Sequence, residues 1–316
     1  MDELVDHAFN LSPVGSGPYR FDSLQTENGS ITGVNLVASE FYFEGRPFID
    51  EIHFRYYPDE LAALQAYQAG EVDGLSQVSA EILPTVLNQT GLNLYSSRQP
   101  VLSIVFLNLR SADASILQQV DFRKALMAGV NRQAIIDNVL SGQAVLAQGP
   151  IMPGNWAYYE DQSAYRFDPD GARQTLAALG LSQDANGRFL SEGALVELSL
   201  LVQDDSQHVG IGQMLQQNWE NIGITVNLES LPYDQLVAAL EGRNYEMALV
   251  DIDLSDTPDP DPYQFCAESQ TETGQNYSQW TNATASTYLE QARQTPTYDI
   301  RKRLYRNFQV LFDEEL

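Results

Sequence analysis

The fold is decided by residues 195–252, which read LVELSLLVQDDSQHVGIGQMLQQNWENIGITVNLESLPYDQLVAALEGRNYEMALVDI. Leu195–Val202, Ile224–Leu228 and Tyr245–Ile252 show the apolar content and alternation of strands. Val209–Ile222 and the stretch around Leu236–Leu240 instead repeat their apolar residues at helical spacing. This β-α-β-α-β order predicts an α/β fold with a largely parallel sheet covered by helices on both faces.

Strand and helix signals continue on both sides of this segment. Val101–Leu107 is apolar except for Ser103, which predicts a strand that is buried on both faces. Near the end of the chain, helical periodicity predicts helices at 284–294 and 298–313. Upstream, three residues stand where a helix N-cap is expected: Asp121, Asn131 and Asp168.

Composition limits both the architecture and the partners. The chain has 316 residues, of which 43% are hydrophobic, and this amount of apolar material predicts two lobes. The formal charge of −26 argues against a nucleic-acid partner, because an acidic surface repels phosphates. Cys266 is the single cysteine, so neither an intrachain disulfide nor a cysteine-based zinc site is expected. The first ten residues lack the pattern of a signal peptide, so we expect any export segment to lie outside this sequence.

Motifs of catalysis are missing from the sequence. His7, His53 and His208 are scattered without metal-ligand spacing, and neither a phosphate-binding loop nor a nucleophile elbow occurs. No metal and no cofactor are therefore expected. The Asp184–Gly187 stretch resembles the start of a calcium loop, but Leu195 stands where that loop needs its closing glutamate, so a hairpin turn is favoured. A carbohydrate-active hydrolase with a carboxylate pair stays open as an alternative, as does a chaperone-like interaction module.

Aromatic residues on one loop indicate binding. Residues 150–159 read PIMPGNWAYY and place Trp156 and Tyr158 in a Pro/Gly-rich loop, where helical periodicity does not explain them. Loops on rigid scaffolds often carry binding residues, and such rings also pin a loop to its own lobe. Both roles are open for these two residues.

Eight short motifs, in order along the chain, resemble family 5 extracellular solute-binding proteins of ABC importers, the peptide- and nickel-binding type. The motifs are Gly15–Tyr19, Gly45–Ile52, Gly70–Gly74, Asp121–Leu126, Asn131–Ile135, Gly149–Pro153, Phe167–Asp170 with Ala172 and Arg173, and Asp259–Pro262. Each motif is short, and their common register over most of the chain makes the resemblance specific.

The resemblance implies a two-lobed, flytrap-like protein of type II that binds a solute and presents it to a membrane permease. It implies a binder rather than an enzyme, located outside the cytoplasm, either periplasmic or lipid-anchored at the outer face of the membrane. It also implies that the sequence is truncated at both ends. Residues 110–255 are then a complete lobe two, and residues 1–109 with 256–316 are an incomplete lobe one. Because a partial lobe leaves sheet edges and apolar surface uncovered, we expect the fragment to self-associate.

The same resemblance suggests where a solute would bind. Together with the loop aromatics it assigns the cleft to five residues: Trp156, Tyr158, Asp256, Asp259 and Asn276. Asp256 matches best the acidic residue that binds a peptide amino group in relatives. Dipeptide-binding relatives place an arginine near what is here Val202-Gln203, and this sequence has none there. A longer oligopeptide or an uncharged oligosaccharide is therefore favoured over a dipeptide, and nickel is disfavoured because clustered histidines are missing.

Overall fold

The β-α-β-α-β segment forms most of a four-stranded sheet in the computed structural model, which describes residues 8–79, 81–160, 166–255 and 259–315. The strands are β1 (Tyr19–Glu27), β2 (Ser30–Ala38), β3 (Glu51–Arg55), β4 (Val101–Leu107), β5 (Ser182–Gln183), β6 (Phe189–Ser191), β7 (Ala194–Leu195), β8 (Glu197–Gln203), β9 (Thr225–Leu231) and β10 (Met247–Asp253). The helices are α1 (Glu60–Gln68), α2 (Leu83–Leu87), α3 (Val120–Ala128), α4 (Arg132–Asn138), α5 (Pro169–Ala178), α6 (Ser206–Asn221), α7 (Tyr233–Glu241), α8 (Tyr263–Cys266), α9 (Ala283–Gln294) and α10 (Tyr298–Glu315). Short 3-10 helices lie at Ala8–Leu11, Ser115–Gln118 and Glu268–Gln270.

The four-stranded sheet has the order β4-β10-β8-β9. Strand β8 is parallel to both β9 and β10, which confirms the predicted parallel arrangement, and β4 is antiparallel to β10. The prediction that Val101–Leu107 is buried on both faces is wrong. Leu102 and Phe106 are buried, but Val101 and Ser103 are exposed, because β4 is an edge strand and lacks a neighbour on one side.

Helices cover both faces of this sheet. On one face Phe122 of α3, Leu176 of α5 and Trp219 of α6 pack around buried side chains of β8. On the other face α7 places Leu236 and Leu240 in contact with Phe106, Leu201 and Ala248. Burial on both faces is what the near-continuous apolar strands β8 and β10 require.

Two of the three predicted helix caps are confirmed. The side chain of Asn131 accepts a hydrogen bond from the Ala134 N–H, and that of Asp168 accepts one from the Gly171 N–H. The predicted cap at Asp121 is wrong. Helix α3 begins at Val120 after Gln119, and Asp121 lies in its first turn, where a carboxylate still favours the positive end of the helix dipole.

The last two helices form an antiparallel hairpin with its own core. Leu289 of α9 and Tyr305 and Phe308 of α10 are fully buried, and Ile151 and Ala157 from the aromatic loop join them. The loop that carries Trp156 is thereby anchored to α9 and α10.

Backbone contacts divide the chain into two compact units, Met1–Ser96 and Ser97–Leu316. This division does not follow the predicted lobe boundaries at residues 109/110 and 255/256, and those boundaries stay a prediction. In the smaller unit, β1, β2 and β3 form an antiparallel sheet. Its register aligns one row of partly exposed apolar side chains: Phe21, Leu24, Val34, Leu36, Ile52 and Phe54.

Among the residues with described coordinates, no helix is long and apolar enough to cross a membrane.

Candidate functional site

Asp259–Pro262, the Asp/Pro segment that follows β10, is held to helix α10 by an arginine. Arg301 Nη2 donates to both carboxylate oxygens of Asp259, at 2.8 and 2.7 Å, and to the Tyr305 hydroxyl at 3.0 Å. Arg301 Nε donates to the Ala292 carbonyl at 3.0 Å, which ties the same guanidinium to α9. Burial raises the pKa of Tyr305 to about 12, so its hydroxyl stays protonated at neutral pH. The cation that pairs with Asp259 is therefore permanent, because it is an arginine, and it is held in place by contacts with the Ala292 carbonyl and the Tyr305 hydroxyl.

Trp156 belongs to the same cluster. Its ring lies 4.8 Å from the ring of Tyr298 and 5.8 Å from that of Tyr305, and the Arg301 guanidinium lies 5.2 Å from its centroid. The structure thus brings two of the predicted site residues, Trp156 and Asp259, together around Arg301. Both roles considered for the loop aromatics remain, because the half-buried Trp156 ring packs on its own unit and keeps part of its surface open.

A second aspartate–arginine pair lies beside the first. Arg293 Nε is 2.8 Å from Asp261 Oδ2, and its guanidinium lies over the ring of Tyr263 at 4.2 Å. Burial raises the pKa of the Asp261 carboxyl. The two pairs border an open hollow of about 650 Å³. It is lined by Asp259, Asp261, Gln264, Arg293, Gln294, Thr295, Pro296 and Arg301.

Two further predicted site residues, Tyr158 and Asn276, have other surroundings. Tyr158 is half-buried against the core of the helix hairpin. Asn276 is fully buried, and its Nδ2 donates to the carbonyls of Ala267 and Trp280 at 3.1 and 2.9 Å. Asp256 lies outside the residues that the structure describes. Asn276 therefore holds backbone in this structure, and its contact with a solute stays a prediction.

The edge formed by the carboxyl ends of β8 and β10 carries a further polar cluster, which sequence reasoning missed. Asp205 follows β8 and caps α6 by accepting from the His208 N–H at 2.9 Å, while its other oxygen lies 2.7 Å from His208 Nδ1. His208 Nε2 lies 3.4 Å from Asp251 Oδ2 at the end of β10. Asp251 in turn accepts a hydrogen bond from the hydroxyl of Ser103 on β4. The Asp205-to-His208 spacing was readable in the sequence as a capped first turn, but the contact with Asp251 depends on sheet order.

This edge is where open α/β sheets usually bind ligands. Asp204, Asp205, Asp251 and Asp253 give it a strongly acidic character. In the described parts of the chain, no group of three or more His, Cys, Asp or Glu side chains is arranged to hold a metal ion.

Comparison with protein families gives one match that spans most of the chain. The model of bacterial extracellular solute-binding proteins, family 5, middle region, matches residues 4–275. The chain belongs to this family. The resemblance drawn from the short motifs is thereby confirmed, and because the family consists of solute-binding proteins, the hydrolase alternative is not favoured.

Two relatives of the family 5 chain are peptide-binding proteins. It is 26% identical over 318 residues to the oligopeptide-binding protein AppA of Bacillus subtilis, covering 99% of this chain and 56% of AppA. It is 24% identical over 313 residues to the dipeptide-binding protein of Escherichia coli, covering 97% of this chain and 55% of that protein. The chain therefore spans about half the length of the relatives it matches.

Solved structures agree on the fold. AppA of Bacillus subtilis in complex with a nonapeptide matches with a TM-score of 0.74 at 24% identity, covering 99% of this chain and 62% of that one. The substrate-binding protein CtaP of Listeria monocytogenes matches with a TM-score of 0.82 at 22% identity, covering 100% of this chain and 62% of that one. At such identities the match shows the fold alone, and the predicted two-lobed, type II α/β class is confirmed.

Proposed function

We propose that this chain is part of the extracytoplasmic solute-binding component of an ABC importer, which captures an oligopeptide by lobe closure and delivers it to a membrane permease. The observation that carries this proposal is the family 5 match over residues 4–275, joined by peptide-binding relatives aligned over 97–99% of the chain. The protein acts outside the cytoplasm, free or lipid-anchored.

The proposed contact residues lie on segments that follow strands or lie between helices. Trp156 and Tyr158 provide aromatic surface, and Asp256 provides a carboxylate for a ligand amino group. Asp259, whose carboxylate is paired with Arg301, is the second candidate for this contact. Asn276 takes a supporting part, since its amide fixes the backbone between Ala267 and Trp280. A charge-assisted hydrogen bond from an ammonium group strengthens when lobe closure excludes water.

The absence of an arginine at Val202-Gln203 bears on ligand length. A dipeptide held at both ends needs a cation for its carboxylate, whereas a longer peptide leaves that carboxylate near water. The acidic edge around Asp251 and Asp253 disfavours a buried carboxylate further, because like charges repel at short range. The preferred ligand is therefore an oligopeptide with a free amino terminus.

The class of ligand is tested by screening the full-length protein for thermal stabilisation with panels of oligopeptides, dipeptides and uncharged oligosaccharides. A saturating ligand at 100 times its Kd stabilises by about 2.7 kcal/mol, which a melting curve resolves. We expect oligopeptides to give the largest shifts. Stabilisation by oligosaccharides alone would mean that the ligand is a sugar and not a peptide. Turnover of chromogenic glycosides would mean that the protein is an enzyme and not a binding protein.

We further propose that the isolated chain self-associates through the smaller unit. The row of partly exposed apolar side chains on the β1-β2-β3 sheet supports this, together with the nearly fully exposed rings of Phe41, Phe43 and Phe48. Light scattering after size exclusion should give a mass above 35.2 kDa that falls towards the monomer in Phe54→Lys. A monomer at all concentrations for the unmodified chain would contradict this proposal.

A further inference from the structure

His208 faces two carboxylates and is not among the residues proposed to contact a solute. His208 lies in the first turn of α6 and is only 8% exposed. Its Nδ1 faces Asp205 Oδ2 at 2.7 Å, and its Nε2 faces Asp251 Oδ2 at 3.4 Å. The second oxygen of Asp251 is held by the Ser103 hydroxyl, so the imidazole is the centre of a chain of polar contacts across three elements.

The groups that face the two ring nitrogens determine which protonation state of this imidazole is favoured. A neutral histidine carries a hydrogen on one nitrogen and a lone pair on the other. Since carboxylate oxygens face both nitrogens, a neutral ring would direct its lone pair at an anion. An imidazolium donates from both nitrogens and also carries the charge that each carboxylate attracts.

We propose that His208, as an imidazolium, is a pH-dependent tie that holds the N-terminus of α6 to the carboxyl end of β10 and, through Ser103, to the edge strand β4. Asp205 serves both as the helix cap and as one end of the tie. Asp251 serves as the other end and pairs with Ser103 directly across the β10–β4 ladder. Loss of the proton breaks the contact with Asp251 and leaves the helix cap in place.

The charges around the ring all favour the protonated form. The hydrogen bond and charge of Asp251 raise the pKa of His208 most, the charge of Asp205 adds to this, and burial opposes both. Strands β8 and β9 also pack against α6, and their charged residues Glu197 and Glu229 take no part in this shift. Strand β4 contributes the uncharged Ser103.

The direction of the pH effect follows from the raised pKa. Stabilisation by the tie is fully present below the ordinary histidine pKa of about 6.5 and is lost as the pH rises through the raised value. Strand β10 leads into Leu254, whose N–H donates to the Pro100 carbonyl at 2.8 Å, and then into the Asp/Pro segment. A loosened β10 end would weaken solute binding at alkaline pH. This consequence rests on the proposed function, whereas the tie itself is measured without a ligand.

The direct test is an NMR titration of the histidine side chains in the unmodified protein. The resonance that disappears in His208→Gln identifies the ring. We expect its pKa to lie above the ordinary value and to fall in Asp251→Asn, with a smaller fall in Asp205→Asn, whose amide oxygen still caps the helix. A pKa at or below the ordinary value in the unmodified protein would overturn the tie, and so would a value that Asp251→Asn leaves unchanged.

The pH dependence of protein stability distinguishes a charged tie at His208 from a role of this side chain in packing alone. The difference in the free energy of unfolding between the unmodified protein and His208→Gln should be larger at pH 5.5 than at pH 9. A difference that is equal at the two pH values would mean a packing role only and would overturn the proposal. His53→Gln is the matched control, because the polar contacts of His53 are with Glu51 and Asn35 inside the smaller unit. This control should retain the pH response of the unmodified protein.

Discussion

Aspartates in two regions of the larger unit meet different kinds of cation. Asp259 and Asp261, after β10, pair with Arg301 and Arg293, whose guanidinium groups stay charged at acidic, neutral and mildly alkaline pH. Asp205 and Asp251, at the carboxyl ends of β8 and β10, meet His208, whose pKa these carboxylates raise above its ordinary value and whose charge is lost as the pH rises through that raised value. Two contacts that look alike in geometry therefore differ in what pH does to them. The arginine region is a permanent anchor for α9 and α10, and the histidine region responds to the medium.

The largest expected effect comes from removing the arginine anchor. Arg301→Ala deletes the contacts with Asp259, Tyr305 and Ala292 together, and we expect it to lower the free energy of unfolding by about 2–3 kcal/mol. Urea unfolding should show this loss equally at pH 6 and pH 9. Arg110→Ala, which breaks a largely exposed pair with Glu272, is the control and should lose only about 0–1 kcal/mol. A loss for Arg301→Ala no larger than that of the control would mean that Arg301 does not anchor the two helices.

The two aspartate environments should also differ at acidic pH. Burial alone would raise the pKa of Asp251, but hydrogen bonds from His208 and Ser103 outweigh it and lower that pKa. Its stabilisation is therefore present above the ordinary carboxyl pKa and is lost as the pH falls through the lowered value. Burial raises the pKa of Asp261, so stability is lost as the pH rises through that raised value.

Opposite pH responses in two variants test this contrast. Asp251→Asn should lose about 1–2 kcal/mol at pH 6 and progressively less towards pH 3. Asp261→Asn should flatten the decline in stability between acidic and neutral pH, because the amide carries no charge to bury. Urea midpoints between pH 3 and pH 7 measure both. Parallel curves for the two variants would mean that the two environments do not differ.

The local features of the larger unit could be predicted from the sequence, whereas its long-range side-chain contacts could not. The β-α-β-α-β order and the caps at Asn131 and Asp168 follow from periodicity and from residues three apart, and the structure confirms them. The pairing of Asp259 with Arg301 spans 42 residues, and the contact of His208 with Asp251 depends on which strands are neighbours. The misread strand β4 has the same cause, since an apolar run does not tell an edge strand from a central one.

A smaller effect should follow from removing the hydrogen bond between Ser103 and Asp251, the contact of the tie that lies farthest from His208. Ser103→Ala removes the hydroxyl that holds Asp251 and leaves the β4–β10 ladder intact. We expect a loss of about 0.5–1.5 kcal/mol at pH 6, and a smaller one at pH 9, where the tie is already weakened. Ser111→Ala on the following loop is a control in which the β4–β10 ladder is untouched. A loss that does not change with pH would separate Ser103 from the tie.

The proposed function requires that acidic residues of the stretch 256–261, which follows β10, bind the amino group of an oligopeptide. Calorimetric titration of the full-length protein with an oligopeptide and its N-acetylated form tests this most directly, in the unmodified protein and in Asp256→Asn. We expect saturable binding to one site, a loss of about 1.5–3 kcal/mol on acetylation, and a similar loss in the variant that does not add to the first. Equal affinity for the two peptides in the unmodified protein, or no binding of either, would contradict it.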